Sequence, residues 1–264
     1  MQHLQTNTSP KLKLECIGIS KIYGRDPILS SVNLRVRQGE TVAVLGESGS
    51  GKSTLLKIIS GLILPDGGCV MIDGGDCTGK TGNVSFMRQD SLLMPWKTVI
   101  DNVVLPLTIS GVKKADAYKR AEQYLPYFGL EACKALYPSQ ISGGMAKRAS
   151  LLRAYLFSST ILLLDEPFSS LDTITRIKVY EWFLATVRDL KITAVLVTHD
   201  INEAVYLSDR VCVISGRPAE IVFEMPVSMA KNGYRATSAS ASYQTAVDGL
   251  AKVIFDGHGG ACKG

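Results

Sequence analysis

Two runs near the start of the chain alternate apolar and polar residues: Leu12-Lys13-Leu14-Glu15-Cys16 and Val32-Asn33-Leu34-Arg35-Val36. Side chains on a strand point to opposite faces in turn, so a period of two predicts half-buried strands of an antiparallel sheet. The pattern then changes. Thr41–Leu45 reads as a buried strand, a glycine-rich stretch follows, and apolar residues recur at helical spacing over about 52–62. Strand, glycine loop and helix together open a parallel α/β sheet. Between 91 and 157, the segments 99–107, 115–128 and 145–157 have helical spacing, with interruptions expected at Pro95, Pro106, Pro126 and Pro138. Buried-strand signals return at 161–164, 193–197 and 211–214, separated by helical segments near 173–190 and 201–207. The expected fold class is α/β: a mostly parallel core with an antiparallel β subdomain before it and a helical insertion, about 91–157, inside it. No internal repeat is visible. From about Met229 the chain turns rich in Ser, Ala, Gly and Lys, and 229–264 is expected to be a weakly structured tail or short extension.

Composition narrows this. The 264 residues, 46% of them hydrophobic, suffice for a substantial core but not for two large domains. No run approaches the ~18 apolar residues of a membrane-spanning helix. Residues 1–10 carry no hydrophobic signal core, so the chain is expected to be soluble and to stay where it is made. Net charge is +5, yet Lys and Arg are scattered rather than blocked, so no nucleic-acid partner is expected. Six cysteines, at 16, 69, 77, 133, 212 and 262, form no C-x-x-C pair and read as reduced thiols, with Cys16 and Cys212 in the core.

Gly46-Glu47-Ser48-Gly49-Ser50-Gly51-Lys52-Ser53, with Thr54 next, fits the phosphate-loop pattern G-x-x-x-x-G-K-[ST] in full. Glycines let the backbone curl around phosphate oxygens and present successive N–H donors, and the helix that follows adds its positive N-terminal end. Lys52 would reach the β and γ phosphates of a nucleotide, and the Ser53 hydroxyl would ligate Mg²⁺. This loop alone does not separate a kinase, a GTPase, a helicase and a transporter ATPase. The strand at 161–164 ends in Asp165-Glu166-Pro167. A carboxylate at the carboxyl end of a parallel strand faces the nucleotide crevice. Asp165 is thus a candidate for holding Mg²⁺, and Glu166 for orienting or deprotonating the attacking water. Val195-Leu196-Val197-Thr198-His199-Asp200 repeats the design, with His199 available to a γ phosphate.

Ile141-Ser142-Gly143-Gly144-Met145 lies between the phosphate loop and Asp165. It resembles the Leu-Ser-Gly-Gly-Gln signature of ABC ATPases, over about residues 12–217. The resemblance implies a P-loop NTPase core of the RecA-like kind, an ATPase domain spanning 10–228, and ATP with Mg²⁺ as ligands. It implies that Tyr23 stacks on adenine, that Gln89 touches Mg²⁺ and the attacking water, and that Ser142, Gly143 and Gly144 reach ATP held by the opposite subunit. Asp172, in Ser169-Ser170-Leu171-Asp172, would belong to the loop that crosses the dimer interface. The implied partners are a second copy, head to tail, transmembrane permease subunits, and indirectly a solute-binding protein. The implied location is cytoplasmic, peripheral on the inner face of the cell membrane. Leu92-Leu93-Met94-Pro95-Trp96 and Met145 resemble importer ATPases for nitrate, sulfonates and taurine. Ala146-Lys147-Arg148 and Arg88 depart from the commoner residues of that family. A soluble ABC ATPase without a membrane partner and a separate-subunit exporter ATPase are the alternatives.

Overall fold

The computed structural model describes residues 11–158 and 161–256, with the backbone alone at the last two. The readings for residues 1–10 and Cys262 lie outside the described residues. In chain order the elements are β1 (Leu12–Tyr23), β2 (Asp26–Arg37), β3 (Thr41–Leu45), α1 (Lys52–Ile59), β4 (Gly67–Ile72), β5 (Gly75–Asp76) and β6 (Ser85–Met87). There follow α2 (Val99–Ile109), α3 (Lys114–Phe128), α4 (Gly143–Phe157), β7 (Ile161–Asp165), α5 (Thr173–Asp189), β8 (Thr193–Thr198) and α6 (Ile201–Leu207). The described residues end with β9 (Arg210–Gly216), β10 (Ala219–Pro226), α7 (Tyr234–Ser238) and α8 (Ala241–Asp256).

One mixed sheet runs in the order β5-β4-β1-β2-β10-β9-β3-β8-β7-β6. Its β9-β3-β8-β7-β6 portion is parallel, and β1 pairs antiparallel with both β2 and β4. Strand β10, antiparallel to β9, joins the two portions through a parallel bridge from Ala219 to Leu29. The apolar runs of the parallel strands follow from burial on both faces. Val42, Val44, Leu163, Ile161, Val195 and Val197 pack on one side with α1, while Ala43, Leu45, Leu162, Leu164, Ala194 and Leu196 pack on the other with the remaining helices. Cys16 and Cys212 are buried, as their strand positions require.

One expectation is overturned: Pro106 and Pro126 do not interrupt helices; each lies in the last turn of α2 or α3, where a proline forfeits a single ladder hydrogen bond. Of the two readings for the C-terminal segment, a weakly structured tail or a short extension, the described residues 234–256 fit the second, since they form α7 and α8. In α8, Tyr243, Val247, Leu250 and Ile254 share one helical face, and Tyr243 and Leu250 are buried in the core while the other two pack against it. Burying such side chains contributes about 1.5–3 kcal/mol each.

Candidate functional site

The chain leaves β3 through Gly46, where a Cβ would lie 2.4 Å from the Ile214 carbonyl oxygen, so no larger residue fits without moving backbone. Gly49 and Gly51 take φ of +83° and +85°, the left-handed region that costs glycine nothing. Gly51 caps α1, and Leu29 and Ile28 of β2 crowd against it. Glu47, Ser48 and Gly49 form the exposed rim of the loop, with Ser50 behind them. Lys52 begins α1 and is only 4% exposed. Its ammonium folds back into the loop, donating to the carbonyl oxygens of Gly46 at 2.9 Å and Glu47 at 2.5 Å. Burial lowers its pKa, and the carboxylates of Glu166, Asp165 and Glu47 oppose that shift. Ser53 is exposed beside it, and half-buried Thr54 follows.

Asp165 ends β7, and its Oδ1 accepts the Ser53 hydroxyl at 3.0 Å. Burial raises the Asp165 pKa; the Ser53 hydrogen bond opposes this and Glu166 adds to it. A half-buried carboxylate next to a second one favours a cation. The donors are hard oxygens, the type that Mg²⁺ takes. Glu166 has φ of +44°, a strained conformation for a non-glycine residue that costs about 1–3 kcal/mol. Its N–H donates to the Val197 carbonyl at 3.0 Å, and its Oε1 lies 3.1 Å from His199 Nδ1. Gln89, just beyond β6, donates to Ser169 Oγ at 3.2 Å, and the Ser169 hydroxyl donates to the Glu166 carbonyl at 3.0 Å. A cavity of about 170 Å³ lies among Gln89, Glu166, Arg176, Tyr180, His199 and Glu203.

Register explains the convergence. Leu45 pairs with Thr198, and Asp165 with Val197, so the carboxyl ends of β3, β8 and β7 lie side by side. Tyr23 lies at the end of β1, 45% exposed, with the Lys21 ammonium 5.6 Å from its ring centre. Ser142 caps α4 by accepting the Met145 N–H at 3.3 Å, and Asp172 caps α5 by accepting the Thr175 N–H at 3.0 Å. Gly144 is buried because Thr175 and Val179 approach it, and Gly143 abuts Leu171. Those two turns therefore pack against each other.

Some contributors carried no signal on their own. Lys147 is 3% exposed and its ammonium donates to the Gln89 carbonyl, tying the glutamine's backbone to α4. Its departure from the family's usual residue was the available clue. Glu203, 3% exposed, accepts the Thr198 hydroxyl through Oε2 and lies beside the Tyr180 hydroxyl, while among the described residues its Oε1 and the Nε of Arg176, on the same cavity, have no hydrogen bond of normal geometry.

This geometry has known counterparts. A family model described as ABC transporter matches residues 29–169. The chain is 42% identical to the formylaminopyrimidine import ATP-binding protein ThiZ of Halalkalibacterium halodurans over 201 residues, 76% of this chain and 78% of the relative. It is 41% identical to the taurine import ATP-binding protein TauB of Pseudomonas aeruginosa over 223 residues, 84% and 85% of the two chains. The dimeric structure of MJ0796, a bacterial ABC transporter cassette, superimposes with a TM-score of 0.70 at 30% identity, covering 82% of this chain and all of that one. Phosphate loop, paired carboxylates, strand order and relatives agree: this chain belongs to the ABC transporter family, as an ATP-binding and ATP-hydrolysing subunit with the α/β cassette fold.

Proposed function

We propose that two copies pair head to tail and power the import of a small anionic solute of the nitrate, sulfonate or taurine type. Each ATP lies between the phosphate loop of one copy, 46–54, and the Ser142-Gly143-Gly144 turn of the other. Tyr23, exposed at a strand end, stacks on adenine. Lys52 turns from its loop carbonyls to the β and γ phosphates. Ser53 and Asp165, with Gln89, would hold Mg²⁺, which would offset phosphate charge. Glu166 takes the proton of the attacking water, and His199, hydrogen-bonded to it, touches the γ phosphate. Asp172 stands in the loop that crosses between copies. The dimeric form of the MJ0796 cassette supports the pairing, and the import names of the relatives support the direction.

One observation carries the coupling to a membrane partner. Beside Gln89, a groove of about 440 Å³ is lined by Leu62, Phe86, Leu92, Pro106, Ile109 and Phe157. Leu62 is 60% exposed and Ile109 77%, an apolar patch that no other described residue covers. Among the described residues no helix is long and apolar enough to cross a membrane. A transmembrane permease, itself served by a solute-binding protein, fills the groove from the inner face of the membrane. Tagged protein extracted from membranes should bring down a multi-span subunit, and Ile109→Glu should abolish that recovery without changing ATPase activity in solution. If no multi-span protein is ever recovered, the reading as a soluble ABC ATPase replaces this one.

A further inference from the structure

Helix α8 reaches the turn that follows His199. Tyr243 of α8 is 1% exposed, and its hydroxyl lies 3.2 Å from the Asn202 carbonyl oxygen and 3.0 Å from Asn202 Oδ1, both acceptors. Asn202 stands in the first turn of α6, three residues after His199. The turn between them is a closed unit. Asp200 Oδ1 accepts the N–H groups of Asn202 at 2.8 Å and Glu203 at 3.2 Å, and the Asp200 N–H donates to Thr198 Oγ1 at 3.0 Å. The Thr198 hydroxyl in turn donates to Glu203. These bonds tie Thr198, which ends β8, to Asp200, Asn202 and Glu203, so contacts on either side of His199 set its position. Besides the contact of Glu166 with His199, Arg176 approaches Asp200 Oδ2 at 3.9 Å, and Tyr243 grips Asn202. In α6, Glu203 to Leu207 are buried while Asn202 is exposed, so the first turn has fewer packing contacts than the rest of the helix and the Tyr243 hydroxyl adds one there.

We propose that Tyr243 is a positioning residue for ATP hydrolysis: its hydroxyl braces the first turn of α6 and so keeps His199 within reach of Glu166 and the γ phosphate. The inference rests on the reading of His199 given above. Residues 241–256 would then be part of the catalytic apparatus in action though not in contact.

The test is steady-state ATPase kinetics with thermal melts on the full chain. Tyr243→Phe keeps the ring and removes only the hydroxyl. It should lower kcat about fivefold, the size of one neutral hydrogen bond, while KM for ATP and Tm stay near the wild-type values. Asn202→Ala removes only the Oδ1 acceptor and leaves the main-chain carbonyl at 3.2 Å, so it should lose less than Tyr243→Phe, and the double variant should lose no more than Tyr243→Phe alone. A Tyr243→Phe protein with wild-type kcat overturns the brace, as does a fall in Tm alone or losses that multiply. His199→Ala separates the two readings. If it turns over normally, the role of His199 falls and the brace with it; if it is inactive while Tyr243→Phe is normal, only the brace falls.

Discussion

Replacing Lys52 by methionine keeps the length and apolar stem of the side chain and removes its charge. In the structure the ammonium is already engaged, with the Gly46 and Glu47 carbonyls at 2.9 and 2.5 Å. Two hydrogen bonds from the ammonium to charged phosphate oxygens lie at the upper end of the range for charged groups, about 3 kcal/mol each, and the two loop bonds to neutral carbonyls released on binding at its lower end, about 1.5 kcal/mol each. The net loss in Lys52→Met is therefore about 3 kcal/mol, a fall in ATP affinity of about 100-fold. The Glu47 end of the loop is exposed and water can satisfy its carbonyl, whereas the buried Gly46 carbonyl loses its donor at about 1–3 kcal/mol, so Tm without nucleotide should fall by a few degrees. Titration with a fluorescent ATP analogue, beside a melt without nucleotide, reads both quantities. Unchanged ATP affinity with a lowered Tm would show that the lysine only staples a glycine turn, and the nucleotide site would have to lie elsewhere.

Glu166→Gln preserves the side chain's shape at its strained φ and removes the carboxylate proposed as proton acceptor. ATP should still bind, turnover should fall by at least a hundredfold, and the protein should elute as a dimer when ATP and Mg²⁺ are present; near wild-type turnover would remove the base assignment. Burial lifts the Glu203 carboxyl from 4.5 to about 7, opposed by its hydrogen bond from Thr198. The folded state thus keeps this proton while the unfolded chain releases it near 4.5. The resulting stabilisation is complete below pH 4.5 and lost as pH rises through about 7. Glu203→Gln cannot ionise, so its Tm should gain on wild type across that window and level off above it; parallel Tm curves would contradict the assignment.

Legibility followed burial. Strands β3, β7 and β8 were plain in the sequence because both faces are covered, which demands unbroken apolar runs. Strand β10 gave no such signal, for most of it is exposed, Val222 by 55%. Helix α8 carried a true helical spacing at 243, 247, 250 and 254, hidden within a composition rich in small and polar residues. At the site, the phosphate loop and the Asp165-Glu166 pair were legible because their chemistry depends on consecutive residues. Lys147 and Glu203 were not, because each matters through a partner far off in sequence or buried out of sight.

The sequence by itself determined the nucleotide chemistry: a loop whose glycines reach conformations other residues resist, a lysine and a serine next to it, and carboxylates ending an apolar strand. These are short-range facts, written in neighbouring residues. Only the tertiary structure decided what surrounds that chemistry. The registers of β3, β7 and β8 bring Glu166 to His199, α4 ties down Gln89, and α8 grips the turn after His199. Contacts between residues tens of positions apart depend on how the chain closes on itself, and no local pattern encodes that closure.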